Sequence, residues 1–235
     1  CVQTGAALAP PPGTDPRRAD WTSDPRHYGL HATLKPPFRL KTGTCVQDLD
    51  AAVRALAARA QAFDAPMQCR ELRGFLAWCL AGDALTLVRM RALADEAVQT
   101  LDDWREPPSG IELERRRKTP LGPPQEAMLE RWGYPYVFDQ FVFHITLSNT
   151  LHGQALEDAR RQVQAMSAPL LRASMPVDSV SLYVQPEPDA PFLVARHYGF
   201  DGATVDCAGA AYLEGRARAR RAAPSANPPS GRRSR

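Results

Sequence analysis

Apolar residues recur along this chain in two rhythms, and the switches between them divide it into elements. Over residues 48–63 they fall at Leu49, Val53, Leu56, Ala60 and Phe63, the spacing that gathers side chains on one face of a helix. Acids at the start of that stretch suit the positive end of a helix dipole. The spacing returns over 84–101, through Leu87, Met90, Ala94, Val98 and Leu101, and over 154–171, through Leu156, Ala159, Val163, Met166 and Leu170. A shorter helix is predicted over 125–132, closed by Gly133. Strict alternation marks strands. Residues 28–34 set Leu30, Ala32 and Leu34 on one face and Gly29, His31 and Thr33 on the other. Residues 137–147 set Val137, Asp139, Phe141, Phe143, Ile145 and Leu147 against Phe138, Gln140, Val142, His144 and Thr146. The apolar run 72–80 reads as a buried strand, and 177–185 with 192–198 as a hairpin around a Pro-rich turn.

Between these elements lie residues 1–25, loop-like and broken by Pro10, Pro11 and Pro12, and 104–123, with its prolines and the run Arg115-Arg116-Arg117-Lys118. The order is strand, helix, strand, helix, linker, strand, helix, strand, strand. That order predicts an α+β fold with helices covering one face of each antiparallel sheet. Lobe one then spans about 26–103, the linker about 104–123 and lobe two about 124–212, with the open sheet faces turned toward a central cleft.

Composition narrows the class. The 235 residues, 44% hydrophobic and 23% charged, are an ordinary globular mixture able to bury a sizeable core. No apolar run reaches the roughly 18 residues of a membrane span, so no membrane partner is expected. The five cysteines, at positions 1, 45, 69, 79 and 207, make no Cys-x-x-Cys and no metal-ligand spacing with the histidines, which fits a reducing cytoplasm. The first residue is Cys1 rather than methionine, and the chain is expected to be a piece without its natural start. The net charge of +3 belongs to one end: seven arginines and one acid in residues 213–235 supply +6, which leaves −3 for the rest. That Arg-rich tail lacks apolar periodicity and is expected to be disordered and solvated. Arginine tails can hold nucleic-acid phosphates, yet the acidic remainder makes nucleic acid the less favoured partner.

The chemistry is carried by a repeated tetrapeptide, His31-Ala32-Thr33-Leu34 and His144-Ile145-Thr146-Leu147. One copy would mean little, since a strand histidine is more often a hydrogen-bonded core or rim residue. Two of five histidines in the same frame, each at the end of an apolar segment, make a pair. On a strand, residues i and i+2 share a face, so each copy presents an imidazole and a hydroxyl together. An imidazole pair can supply a general base and a general acid near neutral pH, and the hydroxyls can bind phosphate oxygens. Which histidine is the base is not legible at this level.

The two motifs, with residues 26–40 (Arg26-His27-Tyr28-Gly29 through Lys35-Pro36-Pro37-Phe38-Arg39-Leu40) and Arg131-Trp132-Gly133-Tyr134-Pro135-Tyr136, resemble the 2H phosphoesterase superfamily. The resemblance is to a branch of uncharacterised proteins encoded in bacterial phosphonate-utilisation operons, and it runs from about residue 20 to 200. It implies a bilobal, pseudo-twofold fold with the motifs lining the cleft, and hydrolysis of a cyclic phosphodiester without metal or other cofactor. His31 and His144 would be catalytic, and Thr33 and Thr146 would bind substrate, with Tyr28 and Lys35 as further binding candidates. Arg39 and Tyr136 are nearer to a structural reading. The implied partner is a small cyclic phosphate, bound by a cytoplasmic monomer. RNA 2′,3′-cyclic phosphodiesterase or 2′-5′ RNA ligase-like activity, and a non-catalytic phosphate or nucleotide sensor, are the alternatives. Members of the branch carry a strand and a helical region ahead of the first motif. Here only the loop-like residues 1–25 precede it, which predicts an unpaired sheet edge.

Overall fold

The computed structural model describes residues 1–10 and 12–214, so the predicted disorder of residues 215–235 lies outside the described residues. Helices and antiparallel sheets alternate, as the α+β pattern predicts. In chain order the elements are α1 (Arg18–Trp21), α2 (Val46–Arg59), β1 (Phe63–Ala65), β2 (Met67–Leu72), β3 (Phe75–Leu80) and α3 (Ala84–Thr100). There follow α4 (Gly110–Arg117), α5 (Pro123–Trp132), β4 (His144–Thr146) and α6 (Gly153–Ser167). The last are β5 (Met175–Val177), β6 (Ser179–Val184), β7 (Leu193–Gly199), β8 (Thr204–Asp206) and α7 (Ala210–Leu213).

The long helices stand where apolar spacing puts them, with local chemistry setting their ends. Asp83 caps α3 by accepting from the Thr86 amide at 2.9 Å. Gly133, at φ +73°, closes α5. The predicted helix over 154–171 stops at Ser167, because Pro169 cannot extend the ladder, and a 3-10 turn at Leu170–Arg172 follows. The linker contains a helix the pattern did not reveal. Ser109 and Glu112 cap each other's backbone amides at the start of α4, a reciprocal box that holds a short, mostly polar helix.

Strands depart more from expectation. The predicted strand over 72–80 begins only at Phe75, since Arg73-Gly74, at φ of +51° and +87°, form the tip of a hairpin in which Leu72 ends β2 and residues 75–80 are the other arm, β3. The predicted strand over 137–147 is cut to three residues, because a 3-10 turn at Phe138–Gln140, with Phe138 at φ +53°, breaks the extended run. Residues 28–34 keep a single bridge, Ala32 to Ile145, since Gly29 turns the chain at φ +69° and Pro36 and Pro37 follow.

The chain repeats one order of elements. The first motif, α2, β1, β2 and β3 are matched by β4, α6, β5, β6 and β7, and the two halves exchange parts. The strand β4 pairs with β3, which gives a sheet β2-β3-β4; β6-β7-β8 form a second, and β1 pairs with β5. The helix α6 lies against β2 and β3, while α2 lies against β6 and β7. Trp78 of β3 donates to Ser167 of α6 at 2.8 Å, and Asp50 of α2 accepts from Arg196 and Tyr198 of β7. Each sheet is thus backed by the other half's helix. Leu49, Val53, Leu56, Met90, Ile145, Val180 and Tyr198 share the core between them.

Residues before the first motif are packed. Val2 accepts from the Val194 amide at 2.8 Å and Gln3 from the Ala208 amide at 2.8 Å. Trp21, 6% exposed, joins Leu76 and Ala159 in a smaller cluster. No helix among the described residues is long and apolar enough to cross a membrane.

Candidate active site

Two residues 113 positions apart in the sequence, Ala32 and Ile145, form an antiparallel bridge. Both turn their side chains to the core, so the flanking residues of each motif face the opposite way. In that register His31 stands across from Thr146, and Thr33 across from His144. All four predicted residues therefore share one face around a local twofold centre. The sheet continues beyond them, with Ala77 facing Thr146 and Cys79 facing His144.

Both imidazoles are held alike. The Nδ1 of His31 donates to the Gly29 carbonyl at 3.1 Å, and that of His144 to the Val142 carbonyl at 2.8 Å, each two residues upstream. A carbonyl can only accept, so Nδ1 carries the proton and the neutral ring presents a bare Nε2. For His31 that Nε2 accepts from the Thr33 hydroxyl at 3.0 Å. Its ring lies 5.4 Å from the Tyr183 ring and 6.1 Å from that of Tyr28. Burial pushes the His31 pKa down and the nearby charge of His144 adds to this, against the Gly29 hydrogen bond, which favours the charged form. His144 packs on Phe75, with ring centroids 5.8 Å apart.

The Gly29 carbonyl can hold His31 because Gly29 sits at φ +69°, where a Cβ would come within 2.5 Å of Val2. Gly29→Ala is accordingly expected to lower stability by about 1–2 kcal/mol, the usual cost of a left-handed alanine, measured from the urea midpoint.

Among the other predicted residues, Tyr28 lies at the rim, 42% exposed, its ring 5.3 Å from that of Phe192. Lys35 is directed away from the histidines. Its ammonium donates to the Val98 carbonyl at 3.0 Å and pairs with Asp102 at 3.1 Å, at a side-chain exposure of 7%. Burial lowers the Lys35 pKa, opposed by its contact with Asp102. Arg39 pairs with Glu112 of α4 at 2.5 Å. Sequence reasoning missed Tyr183 and Phe75, the rings against the two histidines. Both lie on predicted strands, but nothing in their own neighbourhood of the chain marks them as partners of an imidazole. Among the described residues no three His, Cys, Asp or Glu side chains gather as a metal-ligand group.

Residues 33–193 match the model of a family described as "Protein of unknown function (DUF1045)". A protein of Janthinobacterium sp. (strain Marseille) named ribose 1,5-bisphosphate phosphokinase PhnN is 34% identical over 186 residues, 77% of this chain and 40% of its own. Another of that name, from Laribacter hongkongensis (strain HLHK9), is 30% identical over 190 residues, 80% of this chain and 43% of its own. The chain thus spans less than half the length of these curated relatives. No solved structure matches it. The family match runs through more than half of the chain, from Thr33 of the first motif to beyond the second, and the protein belongs to the DUF1045 family.

Proposed function

We propose that this protein is a metal-independent phosphodiesterase of the cytoplasm that opens a small cyclic phosphate, a ribose cyclic phosphodiester of phosphonate metabolism. Its exchanged halves would then be the two lobes of a 2H phosphoesterase fold. One observation carries the reading: the Ala32–Ile145 bridge brings two imidazoles, each fixed at Nδ1, and two hydroxyls onto one face.

In the proposed reaction His31 is the base. Its lowered pKa keeps Nε2 unprotonated at neutral pH, free to take a proton from water as the water oxygen bonds to phosphorus. His144, as imidazolium, gives its proton to the ring oxygen whose bond to phosphorus breaks, and the product is a phosphomonoester. Thr33 and Thr146 donate to the non-bridging oxygens, where charge builds up in the transition state. Tyr28 covers the sugar at the rim. Lys35 anchors the first motif to the end of α3.

The relatives' name supports the sugar. They are named for a phosphokinase of ribose 1,5-bisphosphate and are more than twice as long as the matched region. None of the three lysines here, 35, 41 and 118, follows a glycine, so the Gly-Lys of a phosphate-binding loop does not occur in this sequence. The kinase chemistry is assigned to the relatives' other part, and this part to supplying it with a ribose phosphate.

Hydrolysis of ribose and nucleoside cyclic phosphates, followed by phosphorus NMR with the His31→Ala/His144→Ala double variant as control, tests the reading. Turnover of ribose cyclic phosphates by the wild type alone supports it. Equal turnover by the double variant, preference for RNA ends, or tight binding without hydrolysis overturns it. The base assignment has its own check. A base with a depressed pKa stays neutral to lower pH, so kcat/KM should fall on the acid side below pH about 6.5; a limb above that value excludes His31 as the base.

A further inference from the structure

The basic run 115–118 is sorted by the fold. Arg117 is taken by Glu126 and Glu130 of α5. Arg116 instead lies over the Tyr134 ring, 4.6 Å from its centroid. Tyr136 meets Tyr134 edge-on at 5.7 Å, and Arg73, from the β2–β3 hairpin tip, lies over Tyr136 at 5.0 Å. Two guanidinium groups from distant parts of the chain thus rest on one pair of tyrosines. Burial pushes the Tyr134 hydroxyl pKa up, and the charges of Arg116 and Arg73, both within electrostatic reach of that hydroxyl, oppose the rise.

Among the described residues, neither Arg73 nor Arg116 is bridged to a carboxylate. Stacking on a ring fixes the plane of a guanidinium but leaves its N–H edges free, the arrangement that receives a phosphate in bidentate fashion. Arg73 also holds φ +51°, which a non-glycine residue adopts at a cost. The strand that follows Arg73 runs to the histidine face. Phe75, two residues beyond Arg73, packs on His144. Ala77, which faces Thr146, is four residues from Arg73, roughly 13 Å along a strand. A sugar carrying two phosphates, together with the length of an arginine side chain, covers that span.

We infer that Arg73 and Arg116 form a second anion subsite, which takes a phosphomonoester borne by the substrate at a position remote from its cyclic diester. The inference rests on the reading of the histidine pair as a phosphodiesterase site and adds the substrate class: a doubly phosphorylated sugar rather than a simple cyclic phosphate.

Ribose cyclic phosphates with and without a phosphate on O5 test it. The wild type should favour the 5-phosphorylated substrate in kcat/KM by about tenfold to hundredfold, the worth of one or two charge-assisted contacts. In Arg73→Ala/Arg116→Ala that preference should collapse toward one, with Arg73→Lys/Arg116→Lys in between. A preference absent from the wild type, or retained in the double alanine variant, overturns the subsite. Calorimetric titration with ribose 5-phosphate reads it without turnover. Binding to the wild type that weakens at least about tenfold in the folded double variant supports it, and equal or absent binding overturns it. Arginine-dependent binding of ribose 5-phosphate with no hydrolysis of any cyclic diester would refute the diesterase while the subsite stood. Circular dichroism of each variant verifies that it is folded.

Discussion

Alanine at either His31 or His144 is expected to slow hydrolysis of a cyclic phosphate by about 10²- to 10⁴-fold, the usual loss when a general acid or base is removed. The two losses should be alike in size, because the residues stand in matching positions around the Ala32–Ile145 bridge, each with Nδ1 tied to the carbonyl two residues upstream. They should differ in pH dependence. Without His31 the acid limb disappears, since the proton acceptor is gone; without His144 that limb is retained, since His31 still titrates. Steady-state rates from pH 5 to 9 on both variants check this. Loss of the same limb in both would show that the histidines do not divide the roles of acid and base.

The second large effect falls on stability. Asp50 of α2 accepts from the Tyr198 hydroxyl at 2.5 Å and from Arg196 at 2.8 and 3.0 Å, and so fastens the helix of one half to the sheet of the other. Tyr198 is 1% exposed, so its hydroxyl has no route to water if the carboxylate is removed. Asp50→Ala is expected to cost about 2–3 kcal/mol, less than the loss of a fully buried pair because Arg196 keeps Asp206 as a partner. Asp50→Asn retains an acceptor for Tyr198 and should cost less. Urea denaturation of the three proteins measures both values. The site should feel the change as well: β6 carries Tyr183, whose ring lies against His31, so loosening α2 from this sheet frees one wall of that histidine.

Much of the fold was legible where structure follows from local spacing. The helices α2, α3 and α6 each have an apolar stripe at helical intervals, long enough to be unambiguous, and the hairpin of β6 and β7 is announced by its prolines and flanking alternation. The three-residue strands β1 and β5 were not legible as such, and β4 was legible only as the end of a longer predicted strand. They have too few positions to show a period and are sustained by partners elsewhere in the chain rather than by their own propensity. The helix α4 escaped for the opposite reason: its stability comes from a cap and ion pairs, and its sequence carries little apolar pattern.

For the site, the sequence by itself determined the two His-x-Thr tetrapeptides, and with strand alternation it fixed that each imidazole shares a face with its own threonine. Only the tertiary structure decided that the motifs meet at Ala32 and Ile145, that Lys35 turns to Asp102, that Tyr183 and Phe75 wall the histidines, and that Arg73 and Arg116 share a pair of tyrosines. The physical reason is range. Periodicity and capping act over a few residues, whereas these contacts join segments tens to well over a hundred positions apart, brought together by the exchange of β4 into the sheet of β2 and β3 and of each helix onto the other half's strands.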